Sequence, residues 1–164
     1  MQIIQIVAAS TNNVIGKDYG LLWSLPNDMK WFKNKTWALP VVMGRKTFKS
    51  LNNKPMNGRV NVVITKQTDF KAEGITVVNT IEAAIDFCKQ QAYKEVMIIG
   101  GGEIYKQSLP LTDTVLLTRV DAVVEGDTYY PELDESQWQL VFEDKHPTDA
   151  KHVYAYSFQT WIRK

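Results

Sequence analysis

The sequence predicts an α/β domain with a largely parallel sheet and an antiparallel edge, and three observations carry that expectation. Short apolar runs closed by polar or glycine turns recur from Gln2 to Val120. A helix-period stripe stands between two of them, and the tail after Val120 holds two further strand-like runs with no comparable stripe. Strands alternating with helices favour parallel pairing, whereas a terminal pair joined by a short turn favours an antiparallel hairpin.

Taken in order, residues 2 to 9 read as a strand buried on both sides, a continuous apolar run bounded by Ser10, Thr11, Asn12 and Asn13. A long connection to about Leu22 follows. It carries Gly16 and Gly20 around Lys17-Asp18-Tyr19, and the apolar Leu21 and Leu22 argue for a lid. A helix starts near Leu25, because Pro26 suits a first turn where its missing N–H would lack a partner anyway. At about 100° per residue, Leu25, Met29, Phe32 and Thr36 share one face, with Asn27, Lys30, Lys33 and Asn34 on the other. Asp28 falls inside the apolar face. A charge there has to be hydrogen-bonded, shifted in pKa or held for a ligand, unless it merely offsets the helix dipole.

Pro40 to Gly44 is a second strand, running through Arg45, Lys46 and Thr47 into a short helix that ends around Asn52-Asn53. Val60 to Thr65 and Ile75 to Val78 are the third and fourth strands. Thr80 is a good N-cap, with Glu82 in the first turn. Ile81, Ala84, Ile85, Cys88 and Ala92 then recur at helical spacing, which makes Cys88 a core residue rather than a nucleophile. Glu95 to Ile99 is a fifth strand that ends in Gly100-Gly101-Gly102 before a short helix through Ile104 and Tyr105. Thr114 to Val120 is a sixth. Trp138 to Glu143 and Val153 to Ile162, joined by His-Pro-Thr-Asp-Ala-Lys, form the terminal antiparallel pair.

Composition narrows the function classes. The chain has 164 residues, 45% hydrophobic and 23% charged, with 19 basic residues scattered among 18 acidic ones for a formal net charge of +1. That is the profile of one globular domain over residues 1–164, with no nucleic-acid footprint. The opening strand lacks the basic leader of a signal peptide.

In a parallel sheet ligands bind beyond the carboxyl ends of the strands, which directs attention to the loops after residues 9, 43, 65 and 99. Gly100-Gly101-Gly102 follows a strand and opens a helix, so its backbone can approach a phosphate; a tight strand-to-helix turn would need the same glycines. Gly44-Arg45-Lys46-Thr47 superficially resembles a P-loop, but Arg45 separates Gly from Lys and the earlier Gly is missing. Two cationic strand-end loops and a glycine turn suit a dinucleotide phosphate. His146 and His152 lie far from any Cys or acidic cluster with ligand spacing, are read as solvated loop positions, and no metal site is expected.

The chain resembles the dihydrofolate reductase family over nearly its whole length. The matching segments are V-I-G at 14 to 16, W-S-L-P-N-D-M-K-W-F at 23 to 32, V-V-M-G-R-K-T-F at 41 to 48 and G-R at 58 and 59. Further on come I-I-G-G-G-E-I-Y at 98 to 105, L-T-R-V-D at 117 to 121 and V-E-G-D-T at 124 to 128. The resemblance implies a mostly parallel eight-stranded sheet with flanking helices and an antiparallel C-terminal hairpin, and NADPH-dependent reduction of dihydrofolate to tetrahydrofolate. It implies that antifolate inhibitors bind as well.

By position in those motifs, the resemblance makes Asp28, Trp23, Leu21 and Thr118 the catalytic set. Asp28 would bind the pterin, Trp23 an ordered water, and Thr118 would support the carboxylate. Ile6, Ala8, Met29, Phe32, Leu51 and Ile99 would wall the substrate pocket, and Arg59 would clamp the substrate's glutamate carboxylate. The cofactor set it implies is Ala8, Ile15, Gly16, Gly44, Arg45, Lys46, Thr47, Thr65, Lys66, Gly100, Gly101, Gly102, Glu103, Ile104, Tyr105 and Thr128, with a cis peptide at Gly100-Gly101. Ile15 to Leu22 resembles the family's mobile loop, supported by the loop of Asp127.

Three features depart from common forms of the family: Leu22 replaces a frequent Pro, Glu103 stands where an Arg often helps with phosphate, and 52 to 57 holds an extra residue. Two rivals differ in sequence or behaviour. A pyrimidine reductase of riboflavin synthesis would lack the L-P-x-D helix and Arg59, and a silent nucleotide-binding module would give no turnover. The chemistry fits the isolated carboxylate, since reducing a C=N bond needs hydride on carbon and a proton on nitrogen, and one buried acid with a water can promote the second.

Overall fold

The strand that organises the molecule is β1 (Gln2–Ser10), in which Ile3 to Val7 are all buried. The computed structural model describes residues 1–16 and 22–164. After β1 come β2 (Val14–Gly16), α1 (Pro26–Thr36), β3 (Pro40–Gly44), α2 (Arg45–Ser50), β4 (Val60–Ile64), β5 (Ile75–Val78) and α3 (Ile81–Gln90). The chain continues through β6 (Glu95–Gly100), α4 (Gly102–Ser108), a single 3₁₀ turn (Leu109–Leu111), β7 (Thr114–Val120), β8 (Thr128–Tyr129), β9 (Trp138–His146) and β10 (Tyr156–Arg163).

Eight strands make the main sheet in the order β5-β4-β3-β6-β1-β7-β10-β9. Neighbours from β5 to β7 are all parallel, and β10 alone runs against both its partners. The fold expected from the sequence is therefore present. Successive residues of each central strand enter opposite cores, as the two-residue period of a strand requires. Ile3, Val42, Val62, Ile98 and Leu117 pack with α3 and with Tyr105 of α4. Ile4, Val41, Val63, Met97 and Leu116 pack on the other face with Phe48 of α2 and with Trp31 and Phe32 of α1.

Several local expectations hold. Thr80 caps α3 through Ala83 N–H at 3.0 Å, and Cys88 is fully buried, which pushes its thiol up to about 11 and leaves it inert. Others need correction. Ala92 is not on the α3 stripe: with φ at 63° it sits exposed in the turn beyond the helix. The connection after Asn13 contains β2, which pairs with β8 in a separate two-stranded sheet. Strands of three and two residues are too short to show a period. β9 runs on to His146 and β10 begins only at Tyr156; Val153 lies outside it, 81% exposed.

Candidate active site

The carboxyl ends of β1, β3, β4 and β6 lie along one edge of the sheet because these strands are parallel. Helix α1 crosses near that edge with Asp28 on its inner side. Burial lifts the Asp28 carboxyl above the usual aspartate range, and a hydrogen bond from Thr118 Oγ1 to Asp28 Oδ1, at 2.6 Å, opposes the lift. Thr118 lies on β7, almost fully buried, and is paired in register with Ala8 of β1.

The inner face of α1 is rotated from the one expected. Trp31, left off that face, stacks on Phe158 with ring centroids 4.4 Å apart, and its Nε1 is the one buried side-chain polar atom without a partner among the described residues. Met29 is 48% exposed instead of buried, while Thr36 is buried, its hydroxyl returned to the Phe32 carbonyl. The inner face is centred on Asp28 and Trp31, so a carboxylate that looks misplaced in an apolar stripe marks the stripe's centre. Asn27, assigned to the solvent face, is held by Tyr156 Oη at 2.8 Å.

Of the expected pocket walls, Ile6, Phe32, Leu51 and Ile99 meet in one cluster. Ala8 sits two residues beyond Ile6 beside Thr118, and half-buried Trp23 packs with Leu25, Val120 and Tyr156. Arg59 is fixed by its surroundings: Nε donates to Thr36 Oγ1 at 3.1 Å, Nη2 to the Lys33 carbonyl at 2.9 Å and Nη1 to the Asn57 carbonyl at 2.5 Å. Its guanidinium also lies 5.0 Å from the centre of the Trp37 ring. A guanidinium has five N–H donors, so both terminal nitrogens keep donors beyond these contacts.

The glycine residues bring the expected cofactor loops together. A methyl group on Gly44 would lie 3.2 Å from Ile104 Cγ1, one on Gly101 3.2 Å from Thr47 Oγ1, and one on Gly102 2.6 Å from Thr128 Cγ2 and 4.0 Å from Ile15 Cδ1. The ends of β3 and β6, the start of α2 and α4, and the β2–β8 ribbon therefore pack into one cradle, in which the side chains of Ile104, Thr47, Thr128 and Ile15 lie directly against the glycine backbone. The Gly100-Gly101 peptide is cis. Tyr105 Oη donates to the Ile6 carbonyl at 2.7 Å, and burial holds this phenol protonated, well above its ordinary range. Thr65 is buried and accepts from Gln67 N–H at 3.1 Å, with Lys66 exposed beside it. Arg45 is half-buried and Lys46 exposed at the start of α2. Gly16 accepts from Asp127 N–H at 3.1 Å. Glu103 is exposed and takes a hydrogen bond from Gln107 of its own helix at 2.8 Å.

Leu21 lies outside the described residues, as does most of the expected lid. The two histidines are not both solvated. His146 ends β9 with its ring 5.0 Å from Tyr156 and stacked on it, and His152 is 2% exposed. Sequence reasoning also missed Gln5, fully buried, whose Nε2 donates to Tyr105 O at 2.9 Å and to Ser108 Oγ at 2.8 Å. One polar residue inside an apolar strand was the available signal. Among the described residues no three His, Cys, Asp or Glu side chains are placed to hold a metal ion, and no helix is long and apolar enough to cross a membrane.

A parallel-sheet edge that brings one desolvated carboxyl and a close-packed glycine turn together suits an α/β enzyme that acts with a nucleotide cofactor, and the comparisons make the class a reductase. The family model described as dihydrofolate reductase matches residues 2–163. The chain is 40% identical over 159 residues to the dihydrofolate reductase of Haemophilus influenzae, with 97% of each covered. It is 42% identical over 164 residues to dihydrofolate reductase type 3 of Salmonella typhimurium, with 100% of this chain and 99% of the relative covered. Among solved structures it is similar to dihydrofolate reductase from Enterococcus faecalis complexed with NADP(H) and RAB-propyl, at 35% identity and a TM-score of 0.91, with 99% of this chain and 96% of that one covered. The chain belongs to the dihydrofolate reductase family. It is an NADPH-dependent oxidoreductase that reduces dihydrofolate to tetrahydrofolate.

Proposed function

We propose that Asp28 binds the pterin ring of dihydrofolate and promotes protonation of the nitrogen of its reducible C=N bond. The observation that carries this reading is the Thr118–Asp28 hydrogen bond of 2.6 Å on a carboxyl that burial lifts above its usual range. Desolvation makes the carboxyl hold a proton more tightly than a solvated aspartate does, and the Thr118 hydrogen bond favours the ionised form against it. Trp23 would hold a water beside it, so that the proton has a route to the ring nitrogen.

The remaining residues bind and orient. Ile6, Ala8, Phe32, Leu51 and Ile99 wall the pterin and the ring beyond it, with Met29 covering the open side. Arg59, pre-set by Thr36, Lys33 and Trp37, takes the glutamate carboxylate. NADPH fits here, because Gly101 and Gly102 pack directly on Thr47 and Thr128 and so draw the expected phosphate-binding loops together with no Cβ between them, and when bound it supplies hydride to carbon. Gly44, Arg45, Lys46, Thr47, Thr65 and Lys66 would hold its phosphates. Ile15, Gly16, Ile104, Tyr105 and Thr128 would flank it, and Glu103 would add no favourable charge. Binding of antifolate inhibitors in the Asp28 pocket, action as a monomer without nucleic acid, and residence in the cytoplasm complete the proposal.

The test is oxidation of NADPH followed by absorbance with dihydrofolate as substrate, in wild type and Asp28→Asn. Loss of turnover with NADPH affinity kept is expected, and a fully active Asp28→Asn enzyme would refute the assigned role.

A further inference from the structure

Helix α1, which carries Asp28, has no N-cap of its own. Leu25 at the cap position has no side-chain acceptor, and Pro26 follows with no N–H. The Asp28 and Met29 amides reach back to the Leu25 carbonyl, at 3.0 and 3.1 Å. The Asn27 amide instead donates to His152 Nε2 at 3.2 Å, from 125 residues further along the chain. An amide N–H can only donate, so Nε2 is the bare nitrogen and the ring proton sits on Nδ1. That proton is donated to Asp149 Oδ1 at 2.8 Å.

The ring is held firmly. Asp149 Oδ1 also accepts the Lys151 amide at 2.8 Å, and the backbones of Asp149 and His152 exchange hydrogen bonds of 3.0 and 3.2 Å. The His152 ring is 2% exposed and lies 5.0 Å from Tyr156, whose hydroxyl accepts from Asn27 Nδ2 at 2.8 Å. The β9–β10 connection therefore grips the backbone, and the first residue of β10 the side chain, of the residue immediately before Asp28.

We infer that His152 is a positioning residue for Asp28: it caps α1 from the β9–β10 connection and fixes the helix end while Thr118 fixes the carboxylate from β7. The inference rests on the role proposed for Asp28. A helix whose first turn lacks a cap frays, and a carboxylate in that turn moves with it. The two anchors come from different elements, the β9–β10 connection and β7, so losing either lets Asp28 drift from the pterin while the cofactor cradle stays intact.

The test compares His152→Phe, which fills the aromatic space without an acceptor, with His152→Gln, whose amide oxygen can take the Asn27 N–H. In wild type, ¹⁵N NMR should show scalar coupling between the Asn27 amide nitrogen and His152 Nε2. Amide exchange at Asn27 should be fast in His152→Phe and slow again in His152→Gln. His152→Phe should lose about tenfold to 10²-fold in dihydrofolate turnover, the scale of a small misplacement of a reacting group, with NADPH affinity unchanged. His152→Gln should recover most of that loss. Absence of the coupling in wild type overturns the proposal, whether or not the Phe variant folds. So does a folded His152→Phe enzyme with wild-type turnover, or an equal loss of NADPH and dihydrofolate binding. An active Asp28→Asn would instead remove the role of Asp28, while coupling and exchange at Asn27 would still report on the cap.

Discussion

Thr118 Oγ1 and Asp28 Oδ1 lie 2.6 Å apart, a hydrogen bond that joins β7 to α1 across 90 residues of sequence. The donor is almost fully buried, and its bond lowers the pKa of a carboxyl that burial raises. Thr118→Val keeps the shape and removes the donor, so the Asp28 pKa should rise further. The titration midpoint of Asp28, followed by ¹³C NMR of its carboxyl, should move to higher pH. An unmoved midpoint would show that the hydroxyl does not stabilise the ionised form.

Replacing the carboxyl itself separates function from stability. Asp28→Asn should cut dihydrofolate turnover by about 10²–10⁴-fold, the usual contribution of a positioned acid or base. The residual rate should climb as pH falls, because solution must then protonate the substrate. Stability should change in the opposite sense. The native pKa of Asp28 lies above the unfolded value, so the folded state binds the proton more tightly and the charged form destabilises it above the raised pKa. Asn removes that penalty, and the variant should melt higher than wild type at neutral pH, with the gap closing as pH falls through the raised pKa toward the ordinary aspartate range. A lower Tm at neutral pH would mean that the Thr118 hydrogen bond and the helix dipole stabilise the carboxylate by more than its burial costs.

The parts of this site legible in the sequence were those with a strong local signature. Pro26 marks the start of α1, Thr80 caps α3, and Asp28 stands out because a charge in an apolar stripe is costly. The parts that were hidden are long-range. Nothing near His152 in sequence reveals that Asn27 will lie against it, and composition favours a solvated histidine in a polar loop. Trp31 was missed because the rotation of α1 is set by its stacking on Phe158, a residue of β10. β2 and β8 were missed because each is only stable against the other.

Arg59 offers a test of substrate selection. Lys keeps the charge but loses the planar fork that meets a carboxylate with two parallel bonds. Arg59→Lys should weaken dihydrofolate by roughly 1.5–3 kcal/mol, the range for hydrogen bonds to charged groups. It should also loosen the end of α1, because the Thr36 and Lys33 contacts go with the fork. A pterin without the glutamate tail separates the two effects: its binding should be nearly unchanged, and a loss matching that of dihydrofolate would make Arg59 a purely structural residue.

On the proposed cofactor site, discrimination between NADPH and NADH should rest on charge at two neighbouring strand ends. Arg45 opens α2 after β3, and Lys66 follows Thr65 at the end of β4, the strand paired in parallel with β3. A phosphate on the ribose carries nearly two negative charges, so two cations beside one buried hydroxyl give it charge-assisted bonds that NADH cannot make. Replacing both Arg45 and Lys66 with Ala should weaken NADPH by about 10-fold or more while leaving NADH within about twofold, since one charged hydrogen bond is worth roughly 1.5–3 kcal/mol. Both side chains reach solvent, so wild-type NADPH binding should fall with added salt and the double variant should show a shallower dependence. Dihydrofolate affinity should be untouched in the variant, because Asp28 and Arg59 lie on other elements. Equal losses of NADPH and NADH at every ionic strength would mean that Arg45 and Lys66 hold the pyrophosphate or the protein scaffold, and that the 2′-phosphate is read elsewhere.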